Sequence, residues 1–385
     1  MRTGGETSIS FGLGSVLASL ITEQSVNSMT IEVESNNDAL SDRKNLSDLY
    51  RDNCQLAIAS YPILASFYYG DFSNVRMLAG LYAQSVQIVT TDPSIKSVTD
   101  LKGKRVCVGP IGSGSYSSAY DVFFAFGMDI EKDITLMYMT SLDGLDDMKN
   151  GLCDAVFVVS AVPNARVFEL GDTAHLVSID DEHLENLLTG WPYYSKMTIA
   201  KDVYGTDSDW QTVAVKTVLA TNAAVSDNVA YNIVKTIFEY KNEIAAAHAK
   251  GVELDLTFAT EGLDVPFHPG AAKYYKEQGI EVKTTPKVSD IKVGVILDYD
   301  ENTTETFMHI EGIKTATKNL GLSEPEWRYR VEAIAAQQTA EDLVAQGCNV
   351  IIASGVSFER PLVQTARENT EVVFIIYDGE AANVC

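Results

Sequence analysis

The chain has 385 residues, 46% hydrophobic and 21% charged, the balance of a folded globular protein with room for two or three cores. Its 29 Lys and Arg against 53 Asp and Glu leave a formal charge of −24, which argues against a nucleic-acid or anionic-membrane partner, since both are held by clustered cations. No apolar run reaches membrane-spanning length.

The opening, Thr3-Gly4-Gly5 through Ser10, reads as a glycine loop feeding an amphipathic helix that runs to about Ile21. A strand normally supplies such a loop, and neither a strand nor a leader pattern precedes it. The expectation is a fragment of a longer chain whose export signal and first strand lie upstream. A strand at Thr30–Glu34 and a helix from about Leu40 to Asn53 follow. Gln55–Tyr61 is a buried strand ending in two hydroxyl side chains, Ser60 and Tyr61.

Asp92–Arg105 reads as a short polar helix and a Lys-Gly turn, and Arg105–Val108 as a strand. Then comes the most informative stretch, Gly109-Pro110-Ile111-Gly112-Ser113-Gly114-Ser115-Tyr116-Ser117-Ser118, ahead of a helix expected from Ala119 to Gly127. A strand, a glycine turn and a helix start leave free N–H groups at the positive end of a helix dipole, a place for a carboxylate or phosphate. The spacing fits neither G-x-G-x-x-G, because position 117 is Ser, nor a P-loop, because no Lys-Ser/Thr follows. The plain alternative is a flexible turn before a helix. Further strands are expected at Leu136–Met139, Ala155–Ser160 and Val213–Thr221, with helical periods between them, notably Ser226–Lys250. Strands alternating with helices imply an α/β fold with largely parallel sheets.

After Gly279 the character changes. Val282–Asp290, around Pro286, reads as a polar linker within 281–290. Strands at Ile291–Asp298, Trp327–Val331, Asn349–Ser354 and Val372–Tyr377 alternate with helices at Glu301–Leu320, Thr339–Gln346 and Phe358–Glu368. They predict a separate four-stranded parallel lobe covered on both faces.

Cysteines 54, 107, 153, 348 and 385 are scattered, the first four in or beside apolar runs, and read as single buried thiols. The five histidines, His175, His183, His248, His268 and His309, show no metal-ligand spacing. No cofactor or metal is expected, and with no G-x-S-x-G elbow and no Cys/His or Ser/His relay, no enzyme.

Asp92–Val106 closely resembles a stretch shared by many bacterial extracytoplasmic solute-binding proteins. From Thr3 to Gly279 the chain resembles the TAXI-type solute-binding subunits of TRAP transporters. The residues that carry this are Thr3-Gly4-Gly5, Gly12-Leu13-Gly14, Gln55-Leu56-Ala57-Ile58 with Ser60, and Gly112-Ser113-Gly114-Ser115. Ala155–Asn164, Pro192-Tyr193-Tyr194 and Phe267–Tyr275 complete the set. Departures are Thr7-Ser8-Ile9-Ser10 where an aromatic pair is usual, and Tyr61 where an acid is common. Residues 291–385 resemble the first lobe of the basic-membrane-protein family of nucleoside-type receptors, through Val293–Ile296, Phe307, Glu311–Ile313, Gly347–Ile352 and Phe374–Gly379.

The resemblance implies a two-lobed clamshell over 1–280, its second lobe from about Thr91 to Lys201 with its own sheet, and a cleft where strand-end loops converge. Gly112, Ser113, Gly114, Ser115 and Tyr116 then hold a carboxylate through N–H and hydroxyl donors. Thr3, Gly4, Ser60 and Tyr61 contact it from the first lobe, and Ser160 and Asn164 from the second. Ser60, Ser160 and Asn164 serve equally well as helix caps. Tyr193 and Tyr194 line the cleft or brace the lobes. Arg166 reads as an exposed helix charge, His268-Pro269-Gly270 as the turn holding the last helix, and Asp298 as a remote candidate for a ribose hydroxyl.

The implied function is periplasmic or extracellular capture of a small carboxylate, glutamate- or glutamine-like or a dicarboxylate. The implied partners are TRAP-type membrane transporter subunits or, alternatively, the membrane domain of a sensory receptor.

Overall fold

In the computed structural model the chain is described at residues 1–24, 29–70, 74–206, 208–285, 290–299, 304–369 and 372–377. Pro286–Ser289 of the expected linker, the first residues of the helix expected from Glu301, Asp378-Gly379 and Cys385 lie outside the described residues. The chain divides into two compact units, Met1–Thr285 and Pro286–Cys385.

The first unit is built on β1 (Leu56–Ser60), β2 (Val75–Thr90), β3 (Arg105–Cys107), β4 (Thr135–Met137), β5 (Ala155–Ser160), β6 (His175–Leu176), β7 (Ser195–Ile199) and β8 (Trp210–Asn222). Their order is β1-β8-β2-β5-β3-β4, with β6 on β2 and β7 on β8. The expectation of largely parallel pairing is corrected here. Among these strands only β3 pairs parallel, with β4 and β5; the β1–β8, β2–β8, β2–β5, β2–β6 and β7–β8 ladders are antiparallel. Two long strands, β2 and β8, run through the whole unit against one another, and most neighbours run against them.

Those two strands also join what was expected as two separate sheets. Leu81 and Tyr82 of β2 belong to one core and Val86 to another, and on β8 Val218 belongs to the first and Val215 to the second. The change falls at Ala83–Ser85 and Lys216–Thr217, and Ala83 pairs with Lys216. The unit therefore has two lobes, each with its own core, on one continuous ladder. The first lobe packs helices Ile9–Gln24, Ser41–Tyr50, Tyr61–Tyr69, Asp227–Glu239 and Pro269–Glu277 around Leu13, Leu46, Leu64, Ile233 and Tyr275. The second has helices Gly114–Ala125 and Asp181–Gly190 on one sheet face, through Val122, Phe123 and Leu187, and Ser141–Lys149 on the other, through Leu145 and Met148. Each such fully buried side chain contributes roughly 1.5–3 kcal/mol of transfer free energy. The second lobe's cores take in Val86 and Val215, beyond the expected span of Thr91–Lys201.

The strand expected at Thr30–Glu34 shrinks to one bridge. Arg2 pairs parallel with Glu34 and with Ala57, and Arg2 N donates to the Leu56 carbonyl at 2.8 Å while Ile58 N donates to that of Arg2 at 2.9 Å. Met1–Thr3 thus lies beside β1 as a minimal strand.

The second unit is parallel throughout, β9 (Val293–Leu297), β10 (Glu326–Arg328), β11 (Val350–Ser354) and β12 (Val373–Tyr377) in the order β10-β9-β11-β12. Helix Thr304–Asn319 covers one face through Ile310 and Ile313, and helices Ala336–Ala345 and Glu359–Glu368 the other through Leu343 and Leu362. Coverage on both faces fails at β12. Val373 and Ile375 sit in register with Val350 and Ile352, on the face of helix Thr304–Asn319, yet they are 49% and 42% exposed. That helix packs over β9 and β11, and β12 lies beyond it.

Candidate functional site

The glycine-serine stretch starts a helix at Gly114, not Ala119. Gly109 and Gly112, at φ +92° and +86°, turn the chain between β3 and the helix, a conformation that favours glycine. Ser113 is the N-cap, its Oγ accepting from Tyr116 N at 3.2 Å, which fixes the first turn. Across from it stands Ser60, the last residue of β1 and the residue before helix Tyr61–Tyr69. Its side chain makes no cap bond. The Ser60 Oγ is buried without a hydrogen-bond partner, and a Cβ placed on Gly114 would stand 3.6 Å from it. The two lobes therefore meet at a hydroxyl facing the start of a helix.

The first loop adds two hydroxyl groups. Gly4 N donates to Ser10 Oγ at 3.0 Å, Ser8 and Ser10 hydroxyls are 3.0 Å apart, and Phe11 N donates to Ser8 Oγ at 3.1 Å. These groups border an open cavity of about 370 Å³ lined by Gly4, Ser10, Asp42, Ser60, Ser113, Gly114 and Ser115, among others. A neighbouring cavity of about 460 Å³ shares Thr7, Ser8, Ser10, Gln84 and Val159 with it and adds Ser160, Asn164 and Arg166. Gln84 sits on β2 where the cores change over, so the paired cavities lie in the cleft between the lobes.

Four helices present their N-terminal residues to the first cavity, through Ser10, Ser41 and Asp42, Ser60, and Gly114. Each helix start carries about half a positive charge, and none of the lining residues is Lys or Arg. The site is thus suited to a small anion held by N–H groups and hydroxyls. Two lining residues, Asp38 and Asp42, run against this. Asp42 Oδ2 accepts from Ser60 N at 2.9 Å, and desolvation by the surrounding protein raises its pKa.

Of the expected residues, Gly4, Ser60, Ser113, Gly114 and Ser115 line the first cavity and Ser160 and Asn164 the second. The others lie elsewhere for identifiable reasons. Thr3 is fully buried, its Oγ1 donating to the Gly4 carbonyl at 3.1 Å. Tyr61 is buried in the first core, its hydroxyl donating to Asp264 and accepting from the N–H groups of Asp264 and Val265. Gly112 turns its carbonyl to Arg43 Nε. Tyr116 packs tilted against Tyr120 and Tyr138, with ring centroids 5.2 and 6.2 Å away.

Tyr193 packs against both cores and edge-on to Tyr61 at 6.2 Å, its hydroxyl donating to Asp121 at 3.0 Å, a position between the lobes. Asn164 caps its short helix, Oδ1 accepting from Arg166 and Val167 N. Ser160 Oγ is bonded to Gln87 and Asn164. Arg166 pairs with Glu169 and Asp146, and His268 caps helix Pro269–Glu277.

Asp42, Ser8, Ser10 and Gln84 are among the lining residues that sequence reasoning missed. Ser8 and Ser10 were legible as hydroxyls in a glycine loop; Asp42, in a polar helix, carried no signal.

Among the described residues no cluster of three or more His, Cys, Asp or Glu is placed to hold a metal ion, and no helix is long and apolar enough to cross a membrane. The chain is similar to the periplasmic aliphatic sulphonate binding protein SsuA from Escherichia coli, at 14% identity and a TM-score of 0.40 over 86% of this chain and 94% of that one. It is similar to an ancestral arginine-binding protein bound to glutamine, at 18% identity and 0.43 over 66% and 96%. A third similar structure is Tv2483 bound to L-arginine, at 9% identity and 0.44 over 66% and 88%. The model of the NMT1-like family matches residues 1–279. With nearly three quarters of its length so matched, and the two-lobed unit inside the match, the chain belongs to the NMT1-like family.

Proposed function

We propose that this chain is an extracytoplasmic solute-binding receptor that captures a small carboxylate, glutamate- or glutamine-like or a dicarboxylate, and delivers it to a TRAP-type membrane transporter. The observation that carries the reading is the buried, unpartnered Ser60 Oγ facing the N-terminus of helix Gly114–Ala125 across the interlobe cleft. A buried hydroxyl without a partner is rare in a finished fold. An anion seated between it and the N–H groups of Gly114 and Ser115 satisfies both sides, and closes one lobe onto the other. TRAP-type delivery rests on the TAXI-type resemblance of residues 3–279. The cleft binds and releases its ligand unchanged.

The test is a thermal-shift screen against amino acids, dicarboxylates and nucleosides, since a ligand of the native state raises the melting point. The expected result is a rise with a carboxylate that Ser115→Glu abolishes by placing a negative charge on the anion site. A rise with nucleosides alone overturns the reading. The α/β unit after residue 285 favours a second reading, a ligand-binding module of a sensory receptor. Deletion of the gene separates the two, because lost carboxylate uptake supports transport, whereas intact uptake with a lost response to the ligand supports sensing.

A further inference from the structure

We infer that Asp42 is a specificity-determining residue that receives a cationic nitrogen, so that the ligand is a zwitterion with an ammonium group next to its carboxylate rather than a dicarboxylate. This rests on the carboxylate-capture reading above. Asp42 lines the same cavity as Ser113, Gly114 and Ser115. Its Oδ2 is tied to Ser60 N at 2.9 Å, and the same residue's Oγ is the unpartnered group on the anion side. The place for a negative group and a carboxylate thus both border Ser60.

Among the described residues none supplies a cation to Asp42. Among the described residues it has no ion-pair partner, and Ser60 N is its one hydrogen-bond donor. Arg43, next in the chain, turns its Nε to the carbonyl of Gly112. The other acid lining the cavity, Asp38, has Lys44 Nζ at 3.9 Å and accepts from Leu40 N. A half-buried carboxylate with a single donor is costly to ionise, in line with the raised pKa of Asp42. A ligand ammonium compensates it. The second carboxylate of a diacid would instead stand against it as a like charge.

Calorimetric titration of the whole chain with L-glutamate, L-glutamine and glutarate tests this, glutarate being the glutamate skeleton without its ammonium. The expected result is that at least one amino acid binds the wild type on the order of tenfold or more tighter than glutarate. Asp42→Asn should weaken that amino acid by about thirtyfold or more, the loss seen when one partner of an enclosed charge pair is removed. Its amide oxygen can still accept from Ser60 N, and glutarate binding should hold or improve, which also reports that the variant is folded. Glutarate binding as tightly as both amino acids overturns the inference and leaves carboxylate capture standing. An Asp42→Asn variant with the amino acid preference intact does the same. Binding of none of the three overturns both. The wild-type comparison decides the ligand class even if the variant does not fold.

Discussion

Arg43 Nε donates to the carbonyl oxygen of Gly112 at 3.0 Å, a hydrogen bond that joins the first lobe to the glycine turn of the second. The guanidinium lies over the Phe67 ring at 5.9 Å, and a Cβ on Gly112 would fall 2.9 Å from Nε. An exposed bond of this kind contributes about 0.5–1.5 kcal/mol, enough to bias how often two lobes rest together. Arg43→Ala should therefore weaken ligand binding roughly three- to tenfold with little change in the melting point of the empty protein. An unaltered dissociation constant would show the contact to be idle.

Ser60→Ala should separate stability from binding. Its Oγ has no partner, so deleting it loses no hydrogen bond and removes a desolvation penalty. The empty variant should unfold at an equal or higher denaturant midpoint, while carboxylate affinity falls about fivefold or more. A variant that is less stable when empty but binds normally would mean the hydroxyl serves the fold.

Lys216 sits on β8 where the two cores change over. Its Nζ donates to the carbonyls of Phe258 and Glu261 at 2.5 and 2.6 Å and lies 4.5 Å from the Phe258 ring centroid. Burial lowers its pKa to about 8, against roughly 10.4 in the unfolded chain. Below pH 8 both states are charged and the full burial penalty applies. From about 8 to 10.4 the unfolded state holds the extra proton, so stability rises with pH by up to about 1.4 kcal/mol per unit. Lys216→Met should remove that rise. The check is the wild-type-minus-variant difference in urea unfolding between pH 7 and pH 10; a flat difference would place the amine in ordinary solvent.

Gly270→Ala should be severe. A Cβ at Gly270 would lie 2.0 Å from the Asp227 carbonyl oxygen, where helix Pro269–Glu277 begins against helix Asp227–Glu239. The atoms it would meet are all Asp227 backbone, so one helix start must move. The expected loss is about 3 kcal/mol or more, read from denaturant midpoints. A loss under about 1 kcal/mol would show that the helices separate easily.

Where the chain advertises its structure, the advertisement is local. Ala155–Ser160 and Leu56–Ser60 read as apolar runs and are strands; the glycine-serine turn reads as a helix start and is one. β2 was illegible although it is the longest strand. Gln84, Ser85 and Gln87 interrupt its apolar character, and Gln87 is tolerated in the interior only because Ser160 Oγ accepts from its Nε2 and the Tyr204 hydroxyl donates to its Oε1 at 2.7 Å. Those partners lie 73 and 117 positions away. The site divides the same way. Ser113–Ser115 follow from glycine and hydroxyl chemistry in one stretch, whereas Asp42 gains its place only when β1 brings Ser60 N to it. Tyr61 was expected at the cleft because it follows Ser60, but one step into the helix turns its ring into the core.

The ladder shared by β2 and β8 bears on how this molecule melts. Because both lobes hang on the same two strands, loosening either core frays the other's backbone hydrogen bonds. The two-lobed unit should therefore come apart in one cooperative step rather than lobe by lobe. A probe fixed beside Phe123 in the second lobe and another beside Tyr275 in the first would then report one shared midpoint.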